Sequence, residues 1–166
     1  MNLRARSYFH VILIILAYSF TIMILDQASK FYIIHILDLP SKLSIVAVPG
    51  FFNLKMAWNE GINFGLFSSG NLSRRIALIL ISTLICLGIF LWAVRQKNHF
   101  LHLCASAIIG GAVGNLLDRI LYGAVADFLN FTCCGIQNPY SFNIADISIF
   151  FGALGVIFFP SSSNKN

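Results

Sequence analysis

Four long runs of apolar residues, at positions 11–30, 76–94, 100–117 and 142–159, divide the chain, and its polar residues gather between them and at their ends. As a helix rising about 1.5 Å per residue, each run is long enough to cross the ~30 Å hydrocarbon core of a bilayer. The pattern predicts a membrane α-helical fold of four transmembrane helices, in a single domain over residues 1–166. Only Arg95-Gln-Lys97-Asn-His99 separates the second run from the third, so the two longer connections, after runs one and three, emerge together on the other side. Within the first of these, 31–75, the apolar segments 43–48 and 51–58 flank Pro49-Gly50. The fixed φ of proline and the positive φ open to glycine suit a tight turn, which predicts a small β-hairpin or sheet with its loop on the membrane surface. Arg4 and Arg6 before the first run give it the look of a secretory leader, yet Asp26-Gln-Ala-Ser-Lys30 follows rather than a small-residue cleavage site, so a retained span is expected.

Composition agrees with a bilayer setting: 58% of the 166 residues are hydrophobic and 10% charged, too apolar for an ordinary soluble globule of this size. The net charge of +5 is scattered in ones and twos, which argues against nucleic acid and for anchoring at the membrane interface. Both termini are expected on the cytoplasmic side, because Arg95 and Lys97 fill a short loop, although Arg74 and Arg75 on the other side oppose this. Cys86, Cys104, Cys133 and Cys134 lack the spacing of a zinc site, and no GxSxG or HExxH motif occurs, so neither metal nor cofactor is expected. Cys133 and Cys134, adjacent in a loop, leave a thiol redox protein open as a rival.

Alternation of the four spans places Asp26 and Lys30, Asn115, Asp118 and Arg119, Asp127, and Asp146 on one side of the membrane. A carboxylate at bilayer depth costs about 2.5–3.5 kcal/mol on insertion scales, so such residues face the bundle interior and mark function. Asp26 and Lys30 are four apart on one helix, an arrangement suited to mutual neutralisation. Gly110 and Gly114 form a small-xxx-small face, and Asn115, Asp118 and Arg119 continue its stripe, as either a polar cap or a binding surface. Asp127 and Asp146 lie on separate elements that return to one face. Brought close, two carboxylates cannot both ionise comfortably, and a pair sharing one proton can supply both the base and the acid of peptide hydrolysis. A proton relay in a small transporter is the alternative use of the same groups.

Five blocks in order, Asp26-Gln-Ala-Ser-Lys30, Asn59-Glu-Gly61-Ile-Asn-Phe64-Gly65, Gly110-Gly-Ala-Val-Gly114-Asn115-Leu-Leu-Asp118-Arg119, Val125-Ala-Asp127-Phe128 and Phe142-Asn143-Ile-Ala145-Asp146, resemble the lipoprotein signal peptidase (signal peptidase II) family. The resemblance covers nearly the whole chain. It implies an aspartyl endopeptidase of the bacterial inner membrane, with termini cytoplasmic and its sheet, loop and active site at the outer face. It further implies cleavage of diacylglyceryl-modified prolipoproteins just before the lipid-bearing cysteine. Asp127 and Asp146 would be the catalytic pair. Asn115 and Arg119 would hold the substrate backbone, Asn59 and Gly61 would cover the site, and Asp26, Lys30, Asp118, Asn143 and Ala145 would support it. Partners would be lipidated prolipoproteins and membrane phospholipids, with the chain acting as a monomer and no nucleic acid involved. Ile62 and Asn63, where small residues are usual in the family, and the Cys133-Cys134 pair depart from the pattern in the loops.

Overall fold

The computed structural model describes residues 3–61, 70–133 and 138–159. Helix α1 spans Leu3–Phe31 and runs on through a π-helical segment, Tyr32–Ile36, past the end of its apolar run. It has no reason to stop at Lys30, because the charged residues near its end are neutralised inside the fold. It ends where Asp38 takes up a left-handed φ of 49° and Pro40 enters the short helix α2 (Leu39–Lys42). Strands β1 (Ser44–Val48) and β2 (Phe52–Asn59) form the hairpin that Pro49-Gly50 predicts. Gly50 has φ +74°, and the Phe51 amide donates to the Val48 carbonyl at 3.1 Å across the turn.

Helices α3 (Gly70–Val94) and α4 (His99–Leu121) form the tight antiparallel pair that the short loop requires. Asn98 caps α4, its side chain accepting from the Phe100 amide at 2.9 Å. A third strand, β3 (Val125–Phe131), joins the sheet beside β2 in the order β1-β2-β3, antiparallel throughout. The last helix, α5 (Ile144–Phe158), has 15 residues and is therefore about 22 Å long. Three helices have the length and hydropathy of a membrane span, and α5 is the shorter apolar fourth.

Helix α4 is the hub. A Cβ at Gly110 would meet the Ser19 carbonyl oxygen of α1, and one at Gly111 would lie 2.5 Å from the Ala145 carbonyl oxygen of α5, so both neighbours approach its backbone directly. Ile15, Ala93, Ala105 and Ile109 form the core between α1, α3 and α4. A second cluster, Ile33, Leu39 and Phe128, packs the sheet onto the end of α1. Large apolar side chains such as Phe20, Leu84 and Phe158 lie exposed on the outside, as lipid-facing positions do. The loop positions Ile62, Asn63 and Cys134 and the tail 160–166 fall outside the described residues.

Candidate active site

At the sheet end of the bundle, three helices and a strand deliver four carboxylates into one network. Lys30, only 1% exposed, lies between two of them, 2.7 Å from Asp26 and 2.8 Å from Asp118, both of which are fully buried. It also donates to Asn115 Oδ1 at 3.0 Å. Such a cluster is tolerable in a low-dielectric interior only if each remaining oxygen finds a donor. Asp26 Oδ1 accepts from the Ala145 backbone amide at 3.0 Å, one of the first-turn amides of α5 that have no partner within the helix. Asp118 Oδ2 accepts from the Ala126 amide at 3.1 Å, which ties α4 to β3. Gln27 bridges the cluster, donating to Asp118 Oδ1 at 2.9 Å and to the Gly114 carbonyl at 3.1 Å. A Cβ on Gly114 would fall 2.5 Å from Asp26 Oδ2, so glycine lets α4 pass over this carboxylate.

Asp127 and Asp146 are held differently. Strand β2 carries an irregularity between Leu54 and Ala57, after which Ala57 stands opposite Asp127. Asn59, two residues further, therefore points to the same face, and its Nδ2 donates to Asp127 Oδ2 at 3.1 Å. The Gly61 amide in turn donates to Asn59 Oδ1 at 2.9 Å, with Gly61 at φ +95°, and this fixes the asparagine rotamer. On the other edge of β3, Phe142 pairs with Leu129 through two backbone bonds of 2.8 and 2.9 Å, laying the entry to α5 along the strand. That pairing brings Asn143 beside Asp127, and Asn143 Nδ2 donates to Asp127 Oδ1 at 2.6 Å.

Asn143 also caps α5. Its Oδ1 accepts from the Asp146 amide at 2.8 Å while its own amide donates to Asp146 Oδ2 at 3.2 Å, a reciprocal capping box. Asn115 Nδ2 donates to Asp146 Oδ1 at 2.9 Å, and Asn115 Oδ1 accepts from both Lys30 and Asn143. Thus two asparagines link the lysine cluster to the two remaining carboxylates. Burial, and then the charge of Asp146, push the Asp127 carboxyl up to about 6, against the pull of its hydrogen bonds from Asn59 and Asn143 and the charge of Lys30. Arg119 donates from a terminal nitrogen to the Asn115 carbonyl at 3.2 Å, and its Nε is buried without a partner.

All eleven residues singled out in the sequence fall in this network or on its edge. Two further contributors were missed. Gln27 was hidden as an uncharged residue inside an apolar run, although its place next to Asp26 was a signal. Asn130, buried on β3, donates to the Asn138 and Tyr140 carbonyls and so anchors the returning loop, and no sequence cue marked its strand. Among the described residues, no three His, Cys, Asp or Glu side chains are grouped to hold a metal ion. Free Cys86 and Cys104 lie away from the site on α3 and α4.

Residues 18–160, which contain every element of this network, match the model of a peptidase family described as signal peptidase (SPase) II. The chain belongs to the signal peptidase II family. Among curated members, it is 36% identical over 135 residues to the lipoprotein signal peptidase of Methylobacterium sp. (strain 4-46), covering 81% of each chain. It is also 36% identical to that of Maridesulfovibrio salexigens, covering 81% of this chain and 86% of that one. A bacterial membrane enzyme structure solved in meso at 2.3 Å superposes over 92% of this chain and 91% of that one, with a TM-score of 0.72 and 27% identity. A second such structure, at 1.9 Å, also gives a TM-score of 0.72, at 26% identity. Membership in the signal peptidase II family and the apolar helices mark a bacterial membrane peptidase.

Proposed function

We propose that this signal peptidase II family member is an aspartyl endopeptidase that removes signal peptides from diacylglyceryl-modified prolipoproteins, cutting before the lipidated cysteine. The observation that carries this reading is Asn143, one side chain that hydrogen-bonds Asp127 and caps the helix turn bearing Asp146, holding the two carboxyls close enough for the charge of Asp146 to act on Asp127. Asp146, in the first turn of α5, accepts from two nitrogen donors at the positive end of the helix and serves as the base that takes a proton from the attacking water. Asp127 carries the proton of the pair once substrate displaces water. It polarises the scissile carbonyl and then protonates the leaving amine.

Arg119, with an unused Nε, and Asn115 line the approach and hold the substrate backbone. Asn59 and Gly61 form the roof. Asp26, Lys30, Asp118 and Ala145 brace the frame behind it. The termini lie in the cytoplasm and the site opens near the periplasmic face of the inner membrane, so the acyl chains of the substrate stay in the bilayer while the scissile bond meets water. A single chain contains the whole constellation.

The test is cleavage of a diacylglyceryl-modified prolipoprotein in detergent by the wild type, Asp127→Asn and Asp146→Asn proteins, each checked for folding. Folded but inactive variants support the reading. Near-normal activity in either one refutes the pair, and Asp118→Asn is then the next variant to assay.

A further inference from the structure

The end of the bundle opposite the carboxylates holds a second cavity, of ≈ 500 Å³, between the start of α1, the end of α3 and the start of α4; Tyr8, Val11, Val94, Arg95, Lys97 and His102 line it. Its charge has no counterpart in the side chains of this protein. The six acidic residues, Asp26, Asp38, Glu60, Asp118, Asp127 and Asp146, all belong to the other end. No Asp or Glu of the chain can therefore reach Arg95 or Lys97. By contrast, the ≈ 340 Å³ cavity at the sheet end is lined by Glu60 as well as Arg74 and Arg75.

The basic loop is also preformed. The Nε2 of the buried His102 lies 3.0 Å from the Gln96 carbonyl oxygen, Gln96 Nε2 donates to the Trp92 carbonyl at 3.3 Å, and Asn98 caps α4. These bonds hold the turn so that Arg95 and Lys97, both exposed, flank the fixed Gln96. They follow directly on the apolar helix α3, which sets them at headgroup depth, while Val11 and Val94 give the cavity an apolar side and Tyr8 an amphipathic rim. Basic pockets between spans suit lipid phosphates.

We propose that this cavity binds the phosphate of an anionic phospholipid headgroup, with Arg95 and Lys97 holding the oxyanion and the acyl chains running along Val11 and Val94. The shared chemistry is a phosphate oxyanion, and a lipid is the source because an apolar wall adjoins the cations at the membrane boundary.

The test uses the full chain in detergent, with bound dioleoyl phosphatidylglycerol and dioleoyl phosphatidylcholine compared by native mass spectrometry at equal concentrations. The expected preference for phosphatidylglycerol is roughly twenty-five-fold, at about fivefold for each of two basic side chains near a charged surface. Arg95→Gln with Lys97→Gln should remove most of it, whereas Arg95→Lys, which keeps the charge, and Lys55→Gln, at the other end, should preserve it. Equal binding of the two lipids, a preference that survives in the double variant, or an equal loss in Lys55→Gln would overturn the proposal. Millimolar inorganic phosphate should fail to displace the lipid. Displacement by phosphate at lipid-like affinity would make this a site for the free anion and reject the lipid assignment.

Discussion

Asp26 and Asp118 stand on the same end of the bundle as Asp127 and Asp146, yet the two pairs are solvated in opposite ways. The first pair is closed around Lys30, with backbone amides and Gln27 satisfying the remaining oxygens. The second is held by asparagine side chains and a cap amide, which fix orientation without supplying positive charge at contact distance. A buried carboxylate locked to a cation is spent as structure. One positioned by neutral amides keeps its proton affinity open to change, as acid–base work requires.

The sharpest way to break this comparison is to neutralise the second pair alone. Asp127→Asn and Asp146→Asn should each lower prolipoprotein cleavage by about 10³-fold or more while thermal unfolding shows no loss of stability. The opposite result is expected at Lys30. Lys30→Met leaves Asp26 and Asp118 buried without their cation and should destabilise the fold by about 3–5 kcal/mol, seen as a large drop in melting temperature in detergent. If Lys30→Met were to melt normally but fail to cut, the first pair would belong to the chemistry.

Acid titration sharpens the contrast. The folded-state value of Asp127, about 6, lies above its ordinary 3.8, so between these values the folded chain holds a proton that the unfolded chain has lost. This contribution to stability is fully present below the lower value and is lost as pH rises through about 6, with a span of up to about 3 kcal/mol at 1.36 kcal/mol per pH unit. Unfolding measured from pH 4 to pH 8 should show that slope in the wild type, and Asp127→Asn should flatten it. The smallest effect is expected at Gly114→Ala, whose methyl would press on Asp26. A cost of about 1–3 kcal/mol in stability should accompany it, with the pH profile of cleavage unchanged in shape.

The helices were legible because lipid-facing and core-facing positions are both apolar, so each span reads as an unbroken run whatever its rotation. Their ends were not. Asp26 and Lys30 read as a stop, but neutralised inside the fold they let α1 continue to Phe31 and its π-helical extension to Ile36. Strand β3 was invisible for a related reason. Val125, Ala126, Asp127 and Phe128 are all buried, so the two-residue alternation that betrays a half-exposed strand is missing, and its pairing partner lies nearly seventy positions earlier, with Asn59 opposite Val125. The polar blocks could be gathered to one membrane end by counting spans. That Asn143 serves both carboxyls could not, since it depends on Phe142 pairing with Leu129.

The short α5 has a consequence for the membrane itself. A helix of about 22 Å beside longer spans would create a hydrophobic mismatch, one that a bilayer of ~30 Å can relieve by thinning along that edge. The headgroup layer would dip toward Asp146 there, so water reaches it without a channel through the protein. The length of α5 would then set the depth at which a scissile bond could meet the carboxyls.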